Sequence, residues 1–422
     1  MKKPLLFTAS LLLTLGTAHA QKTTLNYWSM WNQTEPQGQV IQATIKDFEA
    51  AHPGVNVQVN WLGRQVKNLI LPALDTGTSI DVFDTGTDWM KRYNKHLLAL
   101  DPYLKRPSMD NPKQTVAQSL YSILQKQYQV AGKNHFVVYQ PFAVLFFYNK
   151  DHFQKAGIKA EPKNWEEFLT VSNQLRKAGF EPLTTDIDAY IDVMFGYFVE
   201  RYAGGCNQLS RTLKDKTGKM WLTTPGYLKL AQNVQELLQK GYFAKGTAGN
   251  RYPTGQQRLA LGEVSMYLNG TWLPGEVKAT TGPEFKWGTF GFPAISGGNG
   301  KVTTVMMGSQ ALAIPKASKN PELAFQFIEF MVGKKTQQAM VKAGFTSARK
   351  DLVWQAPLDE AWKQVNDAKQ AIGWACELGE AGELGDNVIT PALTDLFTGK
   401  SSPEAFVQRL QKDTAAFWKT RR

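Results

Sequence analysis

The sequence predicts an α/β protein with two domains, on three observations. Its 422 residues exceed what one hydrophobic core usually organises. Strand and helix periodicities alternate from Thr24 to Phe83, the pattern of a sheet with parallel pairs. Hydrophobic content of 43% is that of an ordinary globular chain, and after the first twenty residues nothing approaches the ~20 consecutive apolar residues of a spanning helix.

Residues 1–20 read as an export signal. Lys2 and Lys3 precede an apolar run from Leu5 to Leu15, and Ala18-His19-Ala20 before Gln21 has the small residues of a cleavage site. The mature chain is expected to start at Gln21 in a periplasm, without a lipid anchor because no cysteine follows the signal. Thr24 to Trp28 then reads as a strand. Val40 to Ala50 reads as a helix, with Ile41, Ile45 and Phe48 on one face, ended by Pro53-Gly54. Val55, Val57 and Val59 alternate with polar residues as in a half-buried strand. A helix from Val66 to Asp75 leads to the strand Ile80 to Phe83.

Further on, Val116 to Gln129 is helical, and Gly132 introduces the apolar run Phe136 to Tyr148. Gln140-Pro141 is expected to interrupt that run, since proline is poorly tolerated in a central strand. Asn164 caps a helix with Glu167 three residues on. Helices follow at Tyr190 to Tyr202, Tyr227 to Lys240 and Thr254 to Leu261, before a strand from Val264 to Leu268. The Gly- and Pro-rich stretch 288–300 reads as a loop. Asn320-Pro321 and Ser402-Pro403 start two more helices, the first with Ala324, Phe327, Ile328 and Met331 on one face.

Several chemistries are poorly supported. The formal charge is +12, about +10 without Lys2 and Lys3, but the basic residues are scattered, so nucleic acid is not an expected partner. The five histidines stand far apart and Cys206 and Cys376 form no Cys-x-x-Cys pair, so no metal and no cofactor is expected. The two cysteines could pair in an oxidising compartment or remain two buried thiols. Ser296 to Lys301 is glycine-rich but has Ile295 where a phosphate loop starts with glycine and Val302 where it binds magnesium. No Gly-x-Ser-x-Gly elbow is present. Nothing singles out the two carboxylates of glycoside hydrolysis.

What stands out is aromatic side chains beside turn and polar residues where strands end. Trp28 to Gln33 follows the first strand, Asp84 to Trp89 the third, and Asn269-Gly270-Thr271-Trp272 the strand ending at Leu268; Gly373-Trp374 lies in a loop. Ligands of open α/β sheets bind beyond the carboxyl ends of strands. A pyranose has an apolar C–H face for an aromatic plane and hydroxyls for donors and acceptors. Trp31, Trp272 and Trp374 are therefore candidate cleft residues with Asp88, whereas Trp165, Trp221, Trp362 and Trp418 lie in or beside helices and read as core.

These residues resemble the sugar-binding proteins of bacterial ABC importers, extracellular solute-binding protein family 1, which includes the maltose-binding proteins. The resemblance is carried by Phe48 to Val55, Ala73 to Phe83, Leu97 to Leu104, Phe146 to Asp151, Asn164 to Phe168, Asn269 to Trp272, Gly291-Phe292-Pro293 with Met306 to Lys316, and Asn320 to Met331, in that order. It implies the two-lobed type II periplasmic binding protein fold, hinged at crossovers near Gln140 and Pro293 with a last passage near Phe345. One lobe would take 21–139 and 293–345, the other 140–292 and 346–422. It implies Trp31, Asp88 and Trp89 as ligand contacts from the first lobe and Tyr190, Asn269 and Trp272 from the second; Asn32, Gln140, Gly308 and Trp374 complete the expected ligand-binding set. The implied ligand is a small carbohydrate, or a related solute such as glycerol phosphate, and the implied partners are the importer's permease subunits. The chain is expected to be a monomer and not an enzyme.

Overall fold

The computed structural model of the chain describes residues 22–202, 204–298 and 302–421. The expected signal and the glycine-rich Asn299 to Lys301 fall outside them. The first strand, β1 (Thr23–Ser29), pairs in parallel with β2 (Val55–Trp61) on one side and with β3 (Val82–Gly86) on the other. The helix Pro36–Ala51 connects β1 to β2, starts with proline in its first turn, and turns Ile41, Ile45 and Phe48 inward. Val55 and Val57 are buried and Asn56 and Gln58 exposed, as their alternation requires.

A separate hairpin, β4 (Pro107–Ser108) with β5 (Asn111–Thr115), precedes the stretch expected to be a helix from Val116 to Gln129. That stretch is two short helices, Val116–Ser119 and Ser122–Gln127. They break where the backbone is claimed by a distant segment: Leu120 bridges to Arg349, and Tyr121 N–H donates to Ala348 C=O at 3.0 Å.

The next strand, β6 (Val137–Asn149), passes through Pro141 without interruption. Its neighbours explain why the expected break is absent. Only β10 (Thr304–Ala313) flanks β6 at Pro141, because pairing with β8 (Val264–Gly270) begins at Val144. Proline is tolerated where a strand has a free edge. The sheet is completed by β7 (Glu181–Thr184), parallel to β8, by β9 (Trp287–Phe290) on β6, and by β11 (Gln370–Ile372) on β10. Its order is β2-β1-β3-β10-β6-β8-β7.

The two long antiparallel strands hold the molecule together. The end of β10, Gln310 to Ala313, pairs with β3, while its start, Thr304 to Met306, pairs with β11. The start of β6 runs beside the end of β10, and its latter half pairs with β8 and β9. Each strand thus leaves one group of elements and enters another, around Gln140 to Phe142 and Gly308 to Gln310. We propose that the lobes divide there. Pro293 then belongs to the second lobe, since its carbonyl accepts from Arg201 Nε at 3.2 Å and Phe292 stacks on Tyr197 with centroids 4.7 Å apart. The last passage likewise falls after Phe345: Arg349 still pairs with Asp110 at 2.6 Å, and the helix Asp359–Asn366 is the first element to meet β9 through Glu360, which accepts from Thr289 N–H.

Asn164 caps the helix Trp165–Lys177 by accepting from Glu167 N–H at 2.8 Å. Trp165 and Trp221 are buried, and Trp362 and Trp418 are half-buried against the core. Cys206 and Cys376 are joined in a disulfide, which resolves the alternatives the sequence left open. No helix among the described residues is long and apolar enough to cross a membrane.

Candidate functional site

A cleft of about 980 Å³ lies over the crossing strands. Gln140, Pro141 and Gln310 form its floor. Trp31 and Arg64 stand on the β1–β3 side, and Phe142, Thr271 and Trp272 on the β8 side.

Trp31 follows the end of β1, where Ser29 Oγ accepts its backbone N–H at 3.2 Å. Its indole N–H donates to Tyr139 Oη at 2.7 Å, and Tyr139 donates in turn to Asp84. Asp84 is wholly buried and also accepts from Met30 N–H at 2.9 Å. Burial outweighs these hydrogen bonds and pushes its carboxyl from 3.8 to about 6. The Arg64 guanidinium lies 4.6 Å from the Trp31 ring centroid, held by Glu35 and by Met30 C=O. Arg64 thereby covers one region of the Trp31 ring surface.

On the opposite wall, Trp272 folds back over the end of its own strand. A β-carbon at Gly270 would stand 2.3 Å from the Trp272 ring, so this position must be glycine for the ring to lie there. The Trp272 ring is near-parallel to Trp374, with centroids 6.1 Å apart and 25° between planes, and edge-on to Phe142 at 5.3 Å. Its indole N–H donates to Tyr190 Oη at 3.3 Å. Trp374 donates its own indole N–H to Asp192 at 2.7 Å, and burial pushes the Asp192 carboxyl to about 6 as well. Gly308 serves Phe142 as Gly270 serves Trp272: a β-carbon there would be 2.3 Å from Phe142 Cζ.

The polar groups at the floor are left for something else to satisfy. Gln140 Oε1, Gln310 Oε1 and Asn269 Nδ2 are buried with no hydrogen-bond partner among the described residues. A buried polar group costs stability unless it is bonded, so such atoms beside an open cleft suit the hydroxyls of an incoming solute.

The structure thus brings Trp31, Gln140 and Trp272 into one lining, with Tyr190, Trp374 and Gly308 joined to it through ring contacts and Asn269 behind it. Asp88 sits on a one-turn helix, Thr87–Met90, with its Oδ1 2.3 Å from where a β-carbon on Gly86 would stand, and it is not among the residues lining the cleft. Desolvation raises its carboxyl above the usual range against the pull of Arg92 and Lys67, although the side chain keeps an exposed surface. Asn32 and Trp89 do not line the cleft. Asn32 N–H donates to Glu35, and the Trp89 ring is attended by Arg92 at 4.0 Å and Lys67 at 5.4 Å. Sequence reasoning missed Phe142, Gln310, Arg64 and Asp192. A signal existed for Arg64, which follows the end of β2 just past Trp61-Leu62-Gly63.

A family model described as bacterial extracellular solute-binding protein matches residues 31–338. The multiple sugar-binding protein of Streptococcus mutans is 25% identical over 335 residues, 75% of this chain and 73% of that one. The apo form of RafE from Streptococcus pneumoniae superposes with a TM-score of 0.76 at 19% identity, covering 94% of this chain and 98% of that one. RafE in complex with raffinose matches with a TM-score of 0.69 at 20% identity, covering 94% of this chain and all of that one.

Proposed function

Because this chain belongs to the bacterial extracellular solute-binding proteins, we propose that its cleft captures a saccharide between the two lobes and presents it to an ABC importer. The observation that carries this reading is that the Trp272 ring, backed by the near-parallel Trp374, shares one cleft lining with the unpartnered Gln140 and Gln310 atoms. Aromatic planes accept the apolar face of a pyranose, and the amides meet its hydroxyls. The multiple sugar-binding relative and the raffinose complex of RafE agree with a carbohydrate ligand. The lining carboxylates, Glu35 and Glu276, are engaged by Arg64 and by Tyr252 Oη, which suits binding better than proton transfer.

We further assign the protein to the periplasm after removal of residues 1–20, acting as a monomer with permease subunits as partners. Closure of the lobes around the solute would distinguish loaded from empty protein for the importer.

Isothermal calorimetry of purified, ligand-free protein against mono-, di- and trisaccharides tests the assignment. At least one sugar is expected to bind, and Trp272→Ala to weaken that binding by at least tenfold, about 1.4 kcal/mol. A protein that binds none of them, or an unchanged affinity in Trp272→Ala, sinks the reading or removes Trp272 from the site.

A further inference from the structure

Trp374, whose ring packs on the cleft residues Trp272 and Phe142, precedes a stretch of backbone that L-residues adopt reluctantly. Ala375, Cys376 and Glu377 follow it with φ of 48°, 57° and 64°. All three lie in the left-handed region, where the β-carbon crowds the next carbonyl. None is glycine or asparagine, the residues that enter this region most easily. A run of three persists only where the surroundings over-determine it, and such runs concentrate at binding sites.

Two features hold the run in place. The helix Ile191–Tyr202 has glycine at position 196, where a β-carbon would stand 2.5 Å from Ala375 Cα. The loop therefore lies directly on the helix backbone. Cys376, the middle residue of the run, is bonded to Cys206 at the start of the helix Cys206–Lys214, 170 positions earlier. These sulfurs border a second cavity of about 550 Å³ whose lining shares no described residue with the ligand cleft. The bridge thus stands outside the cleft while its neighbour two residues back supplies the indole that stacks on the cleft residue Trp272.

We propose that the Cys206–Cys376 disulfide is a positioning device for the ligand site: it pins the left-handed run so that Trp374 stays parallel to Trp272. Without the bond the run relaxes, the indole leaves the stack, and the Asp192 contact at 2.7 Å loses its geometry. This inference rests on the cleft being the saccharide site. A bridge that served stability alone would act on the unfolded chain and leave affinity untouched.

The test compares Cys206→Ser/Cys376→Ser, Trp374→Ala and the triple variant, with raffinose and maltotriose as probes. The double serine variant is expected to keep its far-ultraviolet circular dichroism while binding at least tenfold more weakly than the native protein. The triple variant is expected to bind no more weakly than Trp374→Ala, because both changes act through one ring. A ligand-free readout accompanies this: the near-ultraviolet signal that Trp374→Ala removes should also be lost in the double serine variant. Affinity within twofold of native, additive losses in the triple variant, or a retained near-ultraviolet signal each overturn the proposal. If the native protein binds neither sugar, that failure belongs to the choice of solute, and the near-ultraviolet comparison still decides the positioning role. If the double variant fails to fold, native protein reduced by dithiothreitol gives the same comparison.

Discussion

Two of the site's tryptophans hang by their indole N–H from a carboxylate, Trp31 through Tyr139 to the buried Asp84 and Trp374 directly to the half-buried Asp192, whereas Trp272 donates to Tyr190 Oη. For Asp84 the sign of the pH effect is fixed by burial, which raises its carboxyl to about 6 in the folded chain from an ordinary value of 3.8. The folded state therefore holds this proton more tightly than the unfolded state does. The stability it contributes is fully present below about pH 4 and is lost as pH rises through 6, by at most about 3 kcal/mol. Asp84→Asn removes this titration and leaves all others in place. Unfolding by urea at pH 4 and pH 7 should show the variant gaining on the native protein by about 1–3 kcal/mol at the higher pH. A gap between the two that does not change with pH would mean that Asp84 titrates normally. Trp31 and Trp374 were legible in the sequence as aromatics at turns. Their anchors were not: Tyr139 lies in an apolar strand, and Asp192 reads as an ordinary acidic residue in the first turn of a helix.

At the level of elements, the cleft is made by strands that end or lose a neighbour, with glycine wherever a ring must lie on the sheet. Gly270 admits the Trp272 ring and Gly308 the Phe142 ring. Gly270→Ala puts a β-carbon 2.3 Å from the indole, so the ring must move. The expected result is a tenfold or greater loss of saccharide affinity, approaching that of Trp272→Ala, with a stability cost of about 1–3 kcal/mol from overpacking. Native affinity in Gly270→Ala would show that the ring's place over the strand is not required. The Asn-Gly-Thr-Trp turn announced itself in sequence because glycine and tryptophan stand together after an apolar run. Phe142 did not, since it reads as one more apolar residue of the run Phe136 to Tyr148, just past the expected break at Gln140-Pro141. Its opening to the cleft depends on β6 having a single neighbour at Pro141, which no local pattern records.

Over the whole molecule, length and the order of family-like segments were enough to expect two lobes. We place the second crossing at Gly308 to Gln310, inside a strand, whereas Gly291 to Pro293, in a Gly- and Pro-rich stretch, is what reads as a linker in the sequence. On the proposed division, β6 and β10 cross side by side as an antiparallel pair and the chain passes once more after Phe345, and we assign the hinge to these passages. A solute touching both walls favours the closed form by its difference in affinity between closed and open states. At one hundred times its Kd a saccharide should stabilise the native state by about 2.7 kcal/mol, a melting-temperature rise of a few degrees. Binding to one lobe alone would give that rise too. Small-angle scattering separates the cases, because only closure shrinks the radius of gyration. Trp31→Ala removes an anchor from the first lobe and leaves the Trp272 wall intact, so this variant should retain a thermal shift at raised saccharide concentration while contracting less than the native protein. Full contraction in Trp31→Ala would show that the first lobe's tryptophan does not drive closure, and an absence of contraction in the native protein would show that the sugar is held without it.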